Sequence, residues 1–371
     1  MRNSVAKRIA PSGVRASGPN SPTNSAWRAI VLGRIGYDLY SEEIGTPLDR
    51  VRHFRAGLGG SSANIAVGLA RLQWQVTMLG AISDDAVGRF VVSELSAEGV
   101  DVEAVQTVRG HNTSLALNQV APPIGVEQVF YRCRPADAVL VWDRRMAAKL
   151  TKRKTACDGP SLFVTNGTSL CSEGSRAVTT RALQTARANG MTTVLDVDYR
   201  ASSWSSPASA GNACRAVWPW VDILLANADE IRLLAPRAAR AAGVEERVAA
   251  SVLRRGAKIV VWKRGAAGSV AFTTKGRSAV PAVPVTVVST NGAGDGFAAG
   301  FLTAYGRGLG VTDCLLYGNA AAGWVVAQSG CAEAMPRPAD LERSLATVGS
   351  NAEARNRKAW LPLSALPSPR T

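Results

Sequence analysis

The stretch Ser289-Thr290-Asn291-Gly292-Ala293-Gly294-Asp295-Gly296-Phe297 leads directly into the apolar segment from Ala298 to Tyr305. A turn of small residues before an apolar helix leaves backbone amides free to face an anion, and the helix dipole favours negative charge at that end. Asp295 closes the turn, where it is placed to accept a proton from an alcohol while the amides of Gly292, Ala293 and Gly294 hold a phosphoryl group. The pattern therefore predicts a phosphate site with its own base. A helix-capping role for Asp295 is the alternative.

The length and composition are those of a globular α/β enzyme. The chain has 371 residues, of which 46% are hydrophobic and 19% charged, which is enough to bury one large core or two smaller ones. No apolar run approaches the length of a membrane span. Six cysteines lie far apart, and only two histidines are present to complete a metal site. We therefore expect a cytoplasmic protein with reduced cysteines and no membrane partner.

The formal net charge of +15 raises the question of a nucleic-acid partner. Lys and Arg are scattered, however, and no basic helix face or aromatic-basic interleaving is present. The short run Lys152-Arg153-Lys154 is typical of a solvated turn. Net charge attracts anionic ligands without identifying one, so the sequence does not predict nucleic-acid binding.

The two ends of the chain differ in composition from its middle. Residues 1–28 are rich in Ser, Pro, Asn and Arg and contain no acidic residue, which predicts a disordered basic extension, with an organellar transit peptide as the alternative. Residues 351–371 return to a mixed polar, Pro and Ser composition and are expected to form a flexible tail. The segment 29–350 is expected to be one folded domain.

Predicted strands and helices alternate through this domain. The strands are Ala29–Leu32, Val76–Gly80, Ser161–Thr165, Thr193–Asp196, Ile223–Ala226 and Ile259–Trp262, and the helices are Ser62–Leu72, Val87–Glu98, Arg176–Asn189, Glu245–Arg254 and Gly318–Ala327. Such alternation predicts a three-layer α/β/α sandwich with a mostly parallel central sheet, and ligands gather at the carboxyl ends of its strands.

Two segments interrupt the alternation. Residues 37–56 and 112–132 read as extended runs with Pro and Gly punctuation where a helix would be expected. We predict that they form a small β lid beside the main sheet. A lid suits phosphoryl transfer, because it excludes water, the competing acceptor.

A second glycine turn, Gly57-Leu58-Gly59-Gly60-Ser61-Ser62-Ala63-Asn64-Ile65-Ala66, leads into the first predicted helix. Together with the Gly292–Asp295 turn it resembles the paired signatures of the ribokinase-like PfkB family of sugar kinases. The likeness runs from about 29 to 338 and includes Asn227-Ala228-Asp229-Glu230 and Lys263-Arg264-Gly265. It implies a ribokinase-like fold and ATP-dependent phosphorylation of a sugar hydroxyl with Mg²⁺, and it leaves open activation by a monovalent cation such as K⁺. A homodimer joined through the lid is compatible with the resemblance.

The resemblance also implies roles for residues on the nucleotide side. Asp295 would be the catalytic base, and Gly292, Ala293 and Gly294 would supply amides to the transferred phosphoryl group.

Asn227 and Glu230 would belong to the magnesium and phosphate environment, with Glu230 reaching the metal through water; a structural capping box is the alternative. Lys263 and Gly265 would lie near the nucleotide, although Lys263 is equally consistent with a surface charge. Asn319 would lie beside the adenine, unless it is simply packed within its helix.

On the sugar side, Asp38, Gly60 and Asn64 match positions that contact substrate hydroxyls in the family. For Asn64 the alternative is a buried helix residue bonded to backbone. A substrate carboxylate would match a guanidinium on the lid, and Arg132 is the candidate. The alternative for Arg132 is an exposed lid arginine, with the carboxylate bound instead by one of the arginines Arg34, Arg134 and Arg200.

Three local strings narrow the resemblance within the family. They are Gly33-Arg34-Ile35-Gly36-Tyr37-Asp38-Leu39-Tyr40, Phe130-Tyr131-Arg132 followed by Ala136-Asp137, and Leu195-Asp196-Val197-Asp198-Tyr199-Arg200 before Trp204. They resemble the branch that phosphorylates 5-dehydro-2-deoxy-D-gluconate in inositol catabolism. The alternatives are a kinase for 2-keto-3-deoxygluconate, fructose or ribose, and a homologue that binds nucleotide or sugar without turnover. Departures from the family pattern are Ser289, where many members carry Asp, and Gln73, where Gly usually ends the helix.

Overall fold

The computed structural model describes residues 27–121, 127–151, 159–235 and 243–349. Its strands are β1 Arg28–Leu32, β2 Gly36–Ser41, β3 Phe54–Gly59, β4 Gln75–Leu79, β5 Ala81–Ser83, β6 Gln106–Val108, β7 Ser114–Asn118, β8 Gln128–Tyr131, β9 Ser161–Asn166, β10 Thr192–Asp196, β11 Ile223–Asn227, β12 Ile259–Lys263, β13 Ser269–Thr273 and β14 Gly276–Val280. Its helices are α1 Ser61–Arg71, α2 Ala86–Ala97, α3 Arg144–Thr151, α4 Glu173–Ala188, α5 Pro207–Val217, α6 Ala228–Leu234, α7 Val244–Leu253, α8 Ala293–Gly306, α9 Val311–Val326 and α10 Pro338–Gly349.

Eight strands form the central sheet in the order β14-β13-β12-β11-β10-β9-β1-β4. The six from β12 to β4 pair in parallel, whereas β13 and β14 pair antiparallel at one edge. Parallel strands need crossover connections, which the intervening helices provide. The carboxyl ends of the six parallel strands consequently meet along one edge of the sheet.

Two hydrophobic cores lie on opposite faces of this sheet. Within β1, Ala29 and Val31 join the core that contains α1, α8 and α9, while Ile30 and Leu32 join the core that contains α4, α5 and α7. This alternation follows from the two-residue period of a strand, and a strand that is buried on both faces is apolar throughout. The predicted three-layer α/β/α sandwich is confirmed.

A second sheet of four strands, in the order β3-β2-β7-β8, stands beside the main sheet. Its strands fall within or next to the two segments that interrupt the alternation, so the predicted β lid is present. The strand β3 continues to Gly59 and leads directly into α1 at Ser61. The lid is therefore joined to the glycine turn that begins the first helix.

The described residues include two that precede the predicted boundary at 29. Trp27 is buried and its ring lies 5.0 Å from that of Trp74, and Arg28 already pairs within the sheet. Residues 1–26 and 350–371, to which the predictions of an extension and a tail apply, lie outside the described residues. Among the described helices, none is long and apolar enough to cross a membrane.

Candidate active site

A cavity of about 350 Å³ opens at the carboxyl ends of the parallel strands. It is bounded by the start of α1, the turn before α8, the ends of β10, β11 and β12, and the lid residues Gln128 and Phe130. Most of the predicted site residues line it: Gly60, Asn64, Asn227, Glu230, Lys263, Gly265, Gly292, Ala293, Gly294 and Asp295. The two glycine turns, more than two hundred residues apart in sequence, thus contribute to one cavity.

Asp295 lies in the first turn of α8 and bonds to α1. Its Oδ1 accepts a hydrogen bond from Ser61 Oγ at 2.6 Å, and its Oδ2 accepts one from Asn64 Nδ2 at 2.8 Å. The residue before the helix is Gly292, with φ of 75° and no side chain to cap the first amides. The capping alternative for Asp295 is therefore wrong in the described structure, because its carboxylate accepts hydrogen bonds from α1 and caps no amide of α8.

The pKa of Asp295 suits a general base. Burial and then the nearby charge of Asp198 raise it, the hydrogen bonds from Ser61 and Asn64 lower it, and the net result is a pKa of about 7. A base with a pKa near the working pH combines a useful ionised fraction with enough basicity to accept a proton.

The turn that precedes Asp295 has the features of an anion site. The residues Gly292, Ala293 and Gly294 line the cavity at the start of α8, where no side chain caps the first amides. The Ala293 amide donates to the Thr290 carbonyl at a long 3.4 Å. A methyl group on Gly294 would come within 3.3 Å of Lys263 Nζ, so the ammonium lies directly beside these amides. The amides at the start of α8 and the Lys263 ammonium both favour binding of a phosphate group.

Lys263 is fixed in this position by an ion pair. Its Nζ lies 2.8 Å from each carboxylate oxygen of Asp196, at the end of β10. Burial alone would lower the pKa of Lys263, but the charges of Asp196 and Glu230 outweigh it and raise the pKa, so the ammonium stays charged. The alternative of a solvated surface charge is wrong.

Asn227 and Glu230 form a capping box at the start of α6. The Asn227 side chain accepts from the Glu230 amide at 2.9 Å, and Glu230 Oε2 accepts from the Asn227 amide at 2.7 Å. Glu230 Oε1 accepts from the Tyr199 amide at 2.9 Å. The capping box, which was the alternative to a ligand role, is thus present. Both residues also line the cavity.

The magnesium role of Glu230 stays a prediction. Burial raises the pKa of Glu230 to about 7, while the charge of Lys263 opposes the shift. Within the described ranges, no group of three His, Cys, Asp or Glu side chains forms a metal site. Because Mg²⁺ in phosphoryl-transfer enzymes is held largely by phosphates and water, one or two carboxylates on the wall would fit it.

Of the four predicted sugar contacts, Gly60 and Asn64 line the cavity, whereas Asp38 and Arg132 do not. Asn64 lines the cavity, and its Oδ1 is buried without a hydrogen-bond partner among the described groups. Its amide bonds to Asp295, so the alternative of a backbone partner is wrong. Asp38 is buried in β2, accepts a hydrogen bond from Tyr40 Oη at 2.9 Å and is not part of the wall. Burial raises its pKa to about 6.

The structure does not bring Arg132 or Asn319 to the cavity wall. The Arg132 guanidinium forms a 2.8 Å ion pair with Asp137, which holds it in the loop after β8. The Asn319 amide donates to the carbonyls of Val280 and Pro281 at 3.2 and 2.9 Å. Asn319 therefore ties α9 to the end of β14, as the packing alternative predicts. The ligand roles of both residues stay predictions, and Arg132 has one buried guanidinium nitrogen, Nη1, without a hydrogen-bond partner among the described residues.

The other arginines considered for a substrate carboxylate occupy distinct positions. Arg34 and Arg200 line the cavity, whereas Arg134 is exposed. Arg200 lies 3.1 Å from Asp198. We refer to Arg34, Arg132 and Arg200 as the arginine cluster, since their charges act on one another.

Among the wall residues that the predicted set omits, Ser61 and Asp196 bond predicted site residues directly. Ser61 begins α1, three positions before Asn64, so the two share a helix face; that spacing was a usable signal. Asp196 ends a buried strand, and a carboxylate at the carboxyl end of a parallel strand is a typical ligand position. Its pairing with Lys263 has no local sequence signal, because the partners lie on different strands.

The lid is hydrogen-bonded to the turn before α8 through the side chain of Asn118. Asn118 Oδ1, at the end of β7, accepts from Gln128 Nε2 at 2.6 Å and from Asn291 Nδ2 at 3.1 Å. The position of the lid is thereby coupled to the turn that carries the amides of Gly292 to Gly294.

Comparison with known proteins agrees with this arrangement. The model of the pfkB family carbohydrate kinases matches residues 28–338. A 5-dehydro-2-deoxygluconokinase of Clostridium beijerinckii is 32% identical over 83% of this chain and 89% of its own length. Its counterpart in Geobacillus thermodenitrificans is 31% identical over 89% and 96%.

Solved structures show the same fold. A ribokinase II of E. coli in complex with ATP and Mg²⁺ aligns with a TM-score of 0.75 and 23% identity, over 86% of this chain and 99% of its own. A fructokinase double mutant of Vibrio cholerae with fructose, ADP and potassium ion aligns with a TM-score of 0.72 and 21% identity, over 86% and 99%.

The chain belongs to the PfkB family of carbohydrate kinases. The ribokinase-like fold and the family expected from the two glycine turns are both confirmed.

Proposed function

We propose that this protein transfers the γ-phosphoryl group of ATP to the primary hydroxyl of a keto sugar acid, with 5-dehydro-2-deoxy-D-gluconate as the substrate. The observation that carries the proposal is the buried Asp295 carboxylate, which lies beside the uncapped amides at the start of α8 and on the wall of the strand-end cavity. A base and a phosphate site beside one another are what phosphoryl transfer to a hydroxyl requires.

Asp295 acts as the base in this proposal. Its carboxylate is held by Ser61 and Asn64 on α1, and it takes the proton of the attacking hydroxyl as the oxygen approaches phosphorus. The amides of Gly292, Ala293 and Gly294 stabilise negative charge on the transferred group, and the Lys263 ammonium beside them adds a positive charge. Because these donors are already in place, little reorganisation is needed during the reaction.

Magnesium, when bound with the nucleotide, neutralises phosphate charge. Glu230 and Asn227 are the wall residues that would face it through water, and Gly265 would lie near the nucleotide. The E. coli and Vibrio cholerae structures, which hold ATP with Mg²⁺ and ADP with potassium ion respectively, support ATP, Mg²⁺ and a monovalent cation as requirements to test here.

The acid substrate is supported by two independent observations. The relatives described above are named 5-dehydro-2-deoxygluconokinases, and this chain matches them over most of their length. Arg34 and Arg200 also line the cavity, and guanidinium groups match carboxylates in shape and charge. A neutral sugar would leave that charge without a partner.

A substrate panel tests the proposal directly. Purified protein with ATP and Mg²⁺ is assayed for ADP release with 5-dehydro-2-deoxy-D-gluconate, 2-keto-3-deoxygluconate, fructose and ribose, with and without K⁺. The expected result is the highest kcat/KM on the first compound. A preference for fructose or ribose would replace the acid by a neutral substrate, and no ADP release with any compound would favour a non-catalytic homologue.

We also place the protein in the cytoplasm as a homodimer joined through the lid. The exposed Tyr131 at the outer end of β8, with 58% of its surface accessible, supports a lid contact. Sedimentation of wild type and Tyr131→Glu tests the dimer; identical monomer mass for both would contradict it.

A further inference from the structure

Arg34 is a buried cation without an anionic partner. It is 5% exposed and lines the cavity, and among the described residues it has no ion pair. Its Nε has no hydrogen-bond partner, and the guanidinium lies over the Phe130 ring of the lid at 5.5 Å from the centroid. A buried guanidinium is normally paired, because removing it from water without compensation is costly.

The two ion pairs of the arginine cluster do not include Arg34. Asp137 pairs with Arg132 at 2.8 Å, and Asp198 lies 3.1 Å from Arg200. The charge of Arg34 also acts on Asp38, but that carboxylate accepts its hydrogen bond from Tyr40. Burial lowers the pKa of Arg34, as do the charges of Arg132 and Arg200, while the charges of Asp198 and Asp137 raise it. An anion in the cavity would give Arg34 a direct ion pair.

The backbone holds Arg34 against the turn that begins α1. A methyl group on Gly60 would lie only 2.5 Å from the Arg34 carbonyl oxygen, and Gly60 has φ of 90°. The same turn leads into Ser61 and Asn64, which bond Asp295. Arg34 and the base are therefore fixed to a common element, and they line the same cavity.

We infer that Arg34, rather than the lid residue Arg132, binds the carboxylate of the substrate and so sets the preference for an acid over a neutral sugar. This inference rests on the proposed keto acid substrate. The five N–H donors of the guanidinium include a fork that matches a carboxylate. Phe130 then covers the guanidinium from the lid side, so that closing the lid and binding the acid are linked.

The test compares the keto acid with its carboxamide, a neutral compound of nearly the same shape. Wild type is expected to prefer the acid in kcat/KM. Arg34→Met should lower kcat/KM for the acid by about 10- to 150-fold, chiefly through KM, because a charged hydrogen bond is lost. The carboxamide and the KM for ATP should change by less than about threefold.

Two variants serve as comparisons. Arg132→Met removes the competing guanidinium, and Arg255→Met removes an arginine that also lies over an aromatic ring, that of Trp218 at 5.3 Å, but outside the cavity. Arg255→Met should keep the wild-type ratio of acid to carboxamide. If Arg132→Met abolishes that ratio and Arg34→Met does not, the inference is overturned.

The remaining outcomes separate the inference from the proposed function. If wild type prefers neutral sugars, both fall. If wild type prefers the acid and Arg34→Met keeps that preference, or if Arg34→Met raises only the KM for ATP, the inference alone falls and Arg34 binds no substrate carboxylate. Should Arg34→Met not fold, Arg34→Lys decides: it keeps the charge but loses the fork, and a selective loss of about tenfold on the acid supports the inference, whereas an unchanged ratio overturns it.

Discussion

Two parts of the site, which we call its two ends, differ in how their polar groups are paired. At the end formed by the α8 turn, the Asp295 carboxylate has a donor for each oxygen, and both donors come from the first turn of α1. At the other end, the three guanidinium groups of the arginine cluster form two ion pairs among the described residues, and Arg34 is in neither. In our proposal the first end is complete before substrate binds, and the second is completed by the carboxylate of the substrate. Chemistry is therefore expected to depend on the first end, and selectivity on the second.

The largest effect is expected at Asp295. Asp295→Asn removes the base, so kcat should fall by about 10²- to 10⁴-fold on the acid and on its carboxamide alike, with ATP binding retained. ADP release and nucleotide titration measure the two quantities. Asp313→Asn is the matched control, because Asp313 occupies the first turn of α9 but lies off the cavity wall. Near-normal turnover of Asp295→Asn would remove it from the mechanism, and a loss confined to the acid would erase the difference between the two ends.

The second effect concerns the ammonium beside the amides. Lys263→Met leaves Asp196, with 2% of its side chain exposed, buried and without its partner, which should lower the free energy of unfolding by about 3–5 kcal/mol. The KM for ATP should rise, while the ratio of acid to carboxamide should not change.

Denaturant titration measures the stability, and Lys258→Met, whose side chain is 59% exposed, is the control. A double variant Asp196→Asn with Lys263→Met should recover much of the stability; no recovery would show that the buried charge is not the cause of the loss.

The smallest effect is a shift in the pH dependence of turnover. Because Asp295 must be ionised to accept a proton and burial raises its pKa to about 7, activity should fall as the pH drops through that value. The Ser61 hydrogen bond lowers the pKa of Asp295, so Ser61→Ala should move this acid limb upward by less than about one pH unit.

A pH profile of kcat/KM at saturating ATP checks the shift. Ser62→Ala is the control, since Ser62 Oγ donates to the Leu32 carbonyl at 3.3 Å and not to the base. A shift to lower pH in Ser61→Ala, or an equal shift in both variants, would contradict the assignment of Ser61.

The two ends also differ in how far they follow from sequence. Asp295 and its amides are predictable, because a short run of small residues fixes both the turn and the carboxylate. Its position in the lid predicts Arg132 as the carboxylate contact, whereas in the structure its guanidinium pairs with Asp137 and does not line the cavity. Nothing local in the sequence reports which of several arginines is left without an acid, since that depends on partners brought together by the fold.

The fold itself was largely predictable, because its signals are also local in the sequence. The apolar runs of β1 and of β9 to β12 are local signals, and so are the glycine turns before α1 and α8. Asn227 and Glu230 show the limit of such signals: one spacing serves both a capping box and a ligand pair, and the structure shows that the box is formed.

The close contact between Gly60 and the Arg34 carbonyl fixes Arg34 to the start of α1, and the same helix carries Ser61 and Asn64, which bond Asp295. Under the proposed function, the groups that would meet the two termini of the acceptor are therefore attached to one backbone turn. We expect an acid that is one carbon shorter or longer to be a poor substrate, because moving the group at one terminus would displace the helix that positions the group at the other. Selection by chain length, as well as by charge, would then follow from a single backbone turn.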